Sequence, residues 1–97
     1  MTKMMLINCN VSSISEVTAI LDSERINFYQ IIDRVTGKLP VGNPRLNTSI
    51  WPGYSVAIIV QCNPACCQDL KSSLTMLNEH NISEDETVFY SSWNLDE

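Results

Sequence analysis

The chain has 97 residues, a length that predicts a single domain over residues 1–97 with one small core. Eleven acidic against six basic residues give a formal net charge of −5, which argues against a nucleic-acid binder because such proteins need a clustered basic surface. No apolar run approaches the roughly 20 residues that cross a bilayer, and the start of the chain lacks the pattern of a signal peptide. We therefore expect no membrane insertion and a cytoplasmic location.

The first half of the chain predicts a strand, a helix and a second strand. Apolar residues on both faces favour a strand over 3–9. Ser13-x-x-Glu16 is a capping-box pattern, which predicts the start of a helix that ends near residues 24–25. The β-branched and aromatic run over 28–35 is typical of a second strand.

The second half repeats this order after a long loop. Residues 55–62 form the strongest strand pattern in the chain, with apolar side chains on both faces. Asn63 followed by Pro64 predicts the start of a second helix, which ends near residues 80–81. Residues 87–93 are expected to form the last strand.

The order β-α-β-β-α-β predicts an α+β fold of the ferredoxin-like sandwich type. With right-handed crossovers, an antiparallel sheet carries both helices on one face. Because the third strand is apolar on both faces, the other face needs a partner as well. Self-association of the chain is the simplest way to cover it.

The loop over about 36–54 is the most informative part of the sequence, because loops of this length in small domains tend to be functional or disordered. It contains all three glycines and three of the four prolines. Its cations Lys38 and Arg45 favour the capture of an anion, with backbone N–H groups around Gly37 and Gly42 assisting. The alternative is that both cations only keep the loop soluble.

Trp51 has two interpretations within this loop. It either fills a subunit interface or stacks on the ring of a ligand, since an indole suits both environments.

The four cysteines are expected at opposite ends of the sheet. Cys9 ends the first strand at the base of the long loop, whereas Cys62, Cys66 and Cys67 lie at the far end. We therefore expect no four-cysteine zinc site. Cys67 falls on the buried stripe of the second helix, and the first-turn position of Cys66 suggests a lowered thiol pKa and a reactive thiol.

The acidic segment His80–Glu86 is predicted at the same end as the long loop. Its acids could pair with the loop cations, or His80 and carboxylates could act as metal ligands, or His80 could only complement the helix dipole. The sequence contains no recognisable set of nucleophile, base and orienting group and no glycine-rich phosphate motif. It therefore predicts a protein that is not an enzyme, and it identifies no cofactor.

Taken together, the strand that leads into Gly37-Lys38, the loop motif Gly42-x-Pro44-Arg45 and Trp51-Pro52-Gly53 before a strong strand resemble the PII-like signalling proteins. The resemblance covers nearly the whole chain. Within the PII-like proteins, the chain most resembles the short-loop group that carries a Trp-Pro-Gly motif before the third strand. It implies a homotrimer, ligand clefts between subunits at the base of the long loop, and a loop that engages a regulatory target protein. It also implies an adenine nucleotide or another small molecule as the ligand, and a role such as nitrogen regulation.

On this resemblance, the expected ligand-binding residues come from the loop and its base: Gly37, Lys38, Asn43, Arg45, Trp51 and Gly53. The acidic segment 80–86 is expected to rim the cleft. PII proteins have a basic phosphate-binding loop where this chain has Ser83-Glu84-Asp85-Glu86, so a polyphosphate would need a bridging divalent cation here.

Two alternatives remain open from the sequence. A metal-responsive trimer of the CutA type has the same architecture, and Cys9, His80 and nearby carboxylates would then carry the chemistry. An oligomeric interaction domain without a ligand is the other alternative.

Overall fold

The computed structural model describes residues 2–81 and 83–95. Its strands and helices follow the predicted order: β1 (Lys3–Asn10), α1 (Ile14–Ser23), β2 (Tyr29–Val35), β3 (Ser55–Cys62), α2 (Pro64–His80) and β4 (Phe89–Asn94). Short 3-10 turns at Val11–Ser13 and Glu84–Glu86 precede α1 and β4. The four strands form one antiparallel sheet in the order β2-β3-β1-β4. The predicted ferredoxin-like α+β fold is therefore confirmed.

Helix α1 begins after Ser13, as predicted, but its cap differs from the prediction. Ser13 makes no side-chain cap, so the predicted capping box is wrong. Its hydroxyl instead donates a 2.6 Å hydrogen bond to the carboxylate of Glu86, which the 3-10 turn before β4 brings within reach. The cap of this region lies one turn earlier, where the side chain of Asn10 accepts a bond from the N–H of Ser12.

The start of α2 agrees with the prediction. The side chain of Asn63 accepts a 2.8 Å hydrogen bond from the N–H of Cys66, and Pro64 occupies the first helical position, where no N–H is needed. Cys67, Leu70 and Leu74 are buried along one stripe.

Two predicted strand ends shift by a few residues. The second strand begins at Tyr29 rather than residue 28, and the last strand covers Phe89–Asn94 rather than 87–93. Val88 lies outside the last strand because the side chain of Asn78 takes its backbone bonds: Val88 N–H donates to Asn78 Oδ1 at 2.7 Å, and Asn78 Nδ2 donates to the Val88 carbonyl at 2.9 Å.

The hydrophobic core lies between the helices and one face of the sheet. Alternate residues of the two central strands supply it, because successive side chains of a strand point to opposite faces. They are Met5, Ile7, Cys9, Val56, Ile58 and Val60, all buried. The other face carries Leu6, Ile32 and Trp93, which are large, apolar and exposed.

The strand register fixes which residues meet at each end of the sheet. Asn10 and Cys9 at the end of β1 lie opposite Ser55 and Val56 at the start of β3. The loop over 36–54 opens at this same end, as predicted. Within the described residues, no helix is long and apolar enough to cross a membrane.

Candidate functional site

A pair of backbone hydrogen bonds closes the base of the long loop. The N–H of Gly37 donates to the carbonyl of Arg45, and the N–H of Arg45 donates to the carbonyl of Gly37, both at 2.9 Å. The Gly37 N–H is therefore paired within the loop, and a role of the N–H groups around Gly37 in anion capture stays a prediction. The pair of bonds holds the two sides of the loop together.

The far part of the loop has its own hydrogen bonds. The carbonyl of Trp51 accepts bonds from the N–H groups of Leu46 (3.2 Å) and Thr48 (3.1 Å), and the N–H of Asn47 donates to the carbonyl of Gly53 at 2.8 Å. These bonds join residues 46–48 to residues 51–53, so this part of the loop folds on itself.

A cavity of about 250 Å³ lies between this folded loop and the acidic 3-10 turn. Four of the six predicted ligand-binding residues line it, together with five others; the full lining is Asn10, Asn43, Pro44, Arg45, Ile50, Trp51, Pro52, Gly53 and Asp85. The structure thus brings together a cation, amide groups, an indole and a carboxylate at the end of the sheet where β1 ends and β3 begins.

Arg45 is the buried cation of this cavity, with 5% of its surface exposed. Its Nε donates a 2.7 Å hydrogen bond to the hydroxyl of Ser55, and its Nη1 donates at 3.2 Å to the backbone carbonyl of Asp85. Its Nη2 is buried and has no hydrogen-bond partner among the described residues. Burial lowers the pKa of Arg45, while the negative charge of Asp85 opposes this shift. A buried guanidinium with a spare donor is well suited to bind an anion.

The acidic turn reaches the loop through Asp85. Its Oδ1 accepts a 2.8 Å hydrogen bond from the backbone N–H of Asn43, and its backbone carbonyl accepts one from Asn10 Nδ2 at 3.3 Å. The prediction placed the segment 80–86 at the rim of the site, and Asp85 is its member in the cavity lining; Ile82 of that segment lies outside the described residues. His80 is exposed, and its ring Nδ1 bonds to the carbonyl of Met76 one turn earlier.

The other two predicted residues lie beside a second cavity. Gly37 and Lys38 line a space of about 150 Å³ with Asn8 and Ser55. Arg45 lines the larger cavity and Ser55 the smaller one, so the hydrogen bond between these two residues lies between the cavities.

The cysteines are separated as predicted, and burial favours the protonated thiol at both ends of the sheet. Burial raises the pKa of Cys9 to about 11; the charge of Arg45 lowers it and that of Glu86 raises it. The lowered pKa predicted for Cys66 is wrong: burial raises it, as do the nearby charges of Glu24 and Asp69, so the helix N-terminus does not dominate.

A metal centre finds no support in the part of the chain that the structure describes. That part contains no group of three or more His, Cys, Asp or Glu side chains that could hold a metal ion.

Sequence reasoning missed two members of the site. Ser55 opens a strand that is otherwise apolar, and a hydroxyl at the buried end of such a strand is a signal for a polar partner. Asn10 follows the first strand, where its side chain bonds both to the next turn and to Asp85.

The fold and the position of the loop correspond to several solved structures. CPII from Thiomonas intermedia K12, a nitrogen regulatory PII-like protein solved with ADP and bicarbonate, superposes with a TM-score of 0.71 at 17% identity over 95% of this chain and 85% of CPII. The chain has the PII-like fold. A putative PII-like signalling protein from Thermus thermophilus gives a TM-score of 0.70 at 12% identity, covering 97% of this chain and 86% of that one.

A third structure, a DUF3240 family protein from Shewanella baltica, gives a TM-score of 0.71 at 11% identity over 99% of this chain and 91% of that one. No family model matches the sequence. No curated protein matches it either. The PII-like fold is thus established through structure, at identities where sequence comparison finds no match.

Proposed function

We propose that this chain is a non-enzymatic PII-like regulatory protein that senses a small anionic ligand at the base of its long loop. The buried guanidinium of Arg45 is the observation that carries the proposal. It lines a cavity of about 250 Å³ and holds a donor without a partner among the described residues. A spare buried donor is costly to a folded protein, and an incoming anion would satisfy it.

An adenine nucleotide and bicarbonate are the ligands to test first, because CPII, which has the same fold, was solved with ADP and bicarbonate. Trp51 lines the cavity and offers an aromatic face for a base, while Arg45 and Asn43 offer donors for oxyanions. Gly37 and Lys38 would complete the site from the adjoining cavity.

The ligand cleft is proposed to lie between subunits of a homotrimer. The cavity in one chain is smaller than the roughly 300–1,000 Å³ that enclose a typical ligand, so a nucleotide would need a second wall. The uncovered sheet face, with Leu6, Ile32 and Trp93 exposed, offers the apolar surface on which copies would associate.

The long loop is the part that would recognise a regulatory target protein. It exposes Ile50, 78% accessible, next to Trp51 and Leu46, and exposed apolar side chains on a loop suit a protein partner. Ligand binding at the base of the loop would change which loop conformation is populated and so control that contact.

The test is a thermal-shift screen of the purified, reduced protein with ADP, AMP and ATP, each with and without magnesium, and with bicarbonate, zinc and copper. A ligand at 100 times its Kd adds about 2.7 kcal/mol to the folded state, which is a readable shift. We expect a nucleotide or bicarbonate to raise the midpoint. A shift with zinc or copper alone would overturn the proposal in favour of a metal-responsive trimer, and no shift at all would leave the loop as a docking element without a ligand.

A further inference from the structure

Asp85 lines the same cavity as Arg45, the cation on which the proposed anion site depends. The Asp85 carboxylate accepts the N–H of Asn43 at 2.8 Å from within the cavity lining. Gly42, whose φ is +81°, makes this approach possible: a Cβ there would lie 2.6 Å from Asp85 Oδ1 and 3.3 Å from Asp85 Cα. The contact therefore depends on a glycine at this corner of the loop.

The turn that carries Asp85 is fixed from the side opposite the loop. The carboxylate of Glu86 accepts hydrogen bonds from the hydroxyls of Ser12, at 3.0 Å, and Ser13, at 2.6 Å. The hydroxyl of Ser83 accepts the N–H of Asp85 at 3.2 Å. These bonds hold the turn against the start of α1. Arg45 is anchored as well, by its bonds to Ser55 and Gly37. The part that can move away from Asp85 is therefore the loop segment 42–43.

Two hydrogen-bond donors at this corner suit an anion, although the turn beside them is acidic. The Asn43 N–H points at the carboxylate, and the buried guanidinium of Arg45 is close enough to interact with the charge of Asp85. Arg45 nevertheless donates to the backbone carbonyl of Asp85, and its Nη2 remains without a partner among the described residues. The Asp85 carboxylate therefore occupies one of the two donors, the Asn43 N–H. The other donor, Nη2 of Arg45, has no partner among the described residues.

We infer that Asp85 is an internal competitor for the ligand: its carboxylate holds the Asn43 amide, and an oxyanion of the ligand displaces it and so releases loop residues 42–43 from the acidic turn. This inference rests on the proposed function, since it assumes that the cavity takes an anionic ligand. The inference gives the acidic turn a regulatory role. Only chains in which Asp85 has released the Asn43 amide can bind the ligand, so the apparent affinity falls as that fraction of chains falls.

The experiment compares Asp85→Ala and Asp85→Asn with wild type. Glu84→Gln is the matched control, because it removes one charge from an exposed neighbour in the same turn. Two quantities are measured: the hydrogen-exchange rate of the Asn43 amide by NMR without ligand, and the Kd of ADP and of bicarbonate by calorimetry. The two probes separate a phosphate oxyanion from a carbonate one.

We expect Asp85→Ala to speed the exchange of the Asn43 amide and to tighten the binding of the active probe about tenfold, in line with the loss of one hydrogen bond to a charged group. Asp85→Asn should shift both quantities in the same direction by less, and Glu84→Gln should leave both within about twofold of wild type.

Three outcomes would overturn the inference. Unchanged exchange of the Asn43 amide in both Asp85 variants would show that the contact does not hold the loop. Equal or weaker binding by these variants, with wild type binding normally, would show that Asp85 does not compete. Absence of binding by wild type and variants alike would overturn the proposed function too, while amide exchange would still report on the Asp85–Asn43 contact by itself.

Discussion

The Nε of Arg45 lies 2.7 Å from the hydroxyl oxygen of Ser55 and donates a hydrogen bond to it in the protein interior. This bond joins the long loop to the first residue of β3, in the central part of the sheet. A movement of the loop at Arg45 would therefore strain or break this buried hydrogen bond. Arg45 thus couples ligand binding in the cavity to the conformation of the loop.

Arg45→Ala should abolish the response to nucleotide or bicarbonate and destabilise the fold. It removes the bonds to Ser55 and to the Asp85 carbonyl and leaves the Ser55 hydroxyl without this partner, which costs about 1–3 kcal/mol. Thermal unfolding with and without ligand measures both effects. Lys71→Ala, which removes a cation of α2 outside the lining of both cavities, is the control for charge and should leave the ligand response unchanged.

Arg45→Lys separates charge from geometry. A lysine keeps the positive charge but has one ammonium group in place of the guanidinium fork, so it cannot reproduce both bonds of Arg45. We expect weakened ligand binding with this variant, measured by calorimetry. Full binding by Arg45→Lys would show that only the charge matters.

Gly42→Ala should destabilise the protein more than Gly53→Ala. Both glycines have positive φ, +81° and +87°, so each alanine is strained by about 1–2 kcal/mol. Only at Gly42 would the new Cβ meet another residue, 2.6 Å from Asp85 Oδ1, whereas nothing lies within 4 Å at Gly53. Denaturant unfolding of the two variants measures the difference.

The double variant Gly42→Ala with Asp85→Ala tests the cause of that difference. Removing the carboxylate takes away the 2.6 Å contact, whereas the Asp85 Cα and the Glu84 carbonyl oxygen stay 3.3 Å from the new Cβ. The cost of Gly42→Ala should therefore be smaller in the Asp85→Ala background than in wild type, without falling to that of Gly53→Ala. If the losses of unfolding free energy from the two single variants simply add in the double variant, contact with the Asp85 carboxylate does not cause the difference between Gly42→Ala and Gly53→Ala.

The alkaline limb of the stability curve should depend on Cys9. Burial raises the pKa of this thiol from its ordinary value of 9.0 to about 11, so the folded state holds a proton that the unfolded state releases. The stabilising contribution is complete below pH 9 and is lost as the pH rises through about 11. Unfolding midpoints of wild type and Cys9→Ala between about pH 8 and 11 should therefore converge as the pH rises, and parallel curves would contradict the assignment.

The sequence predicted those features that depend on local patterns. The continuous apolar run over 55–62 predicted the bounds of β3, and Asn63-Pro64 predicted the start of α2, because an apolar run and a helix cap are local properties. The capping box at Ser13 failed because its hydroxyl found a stronger acceptor in Glu86, 73 positions away in the chain.

The lining of the larger cavity was predictable in part, and the pairing of its residues was not. Arg45, Asn43 and Trp51 stood out as a cation, an amide and an indole in a loop rich in turn residues. Their partners Ser55 and Asp85 come from a strand and from a distant turn, and only the tertiary fold brings them together.

The thiol of Cys66 shows the same limit of sequence reasoning. The helix start alone would lower its pKa, but burial and the charges of Glu24 and Asp69 raise it. Glu24 follows α1 and reaches Cys66 only through the packing of the two helices, so its influence could not be read from local spacing.

The uncovered face of the sheet predicts the oligomeric state. Leu6 is 38% exposed at the centre of this face, between Ile59 of β3 and Ser91 of β4.

We expect wild type to have a mass of about three times 10.9 kDa by light scattering. Leu6→Lys should reduce this to one chain, because a charge buried between apolar surfaces without a partner opposes association. Met76→Lys, at a 59% exposed position of α2 on the covered side of the sheet, is the control and should keep the mass of wild type. Circular dichroism of both variants reports whether the chain still folds; a folded Leu6→Lys variant with the wild-type mass would show that this face is not the interface.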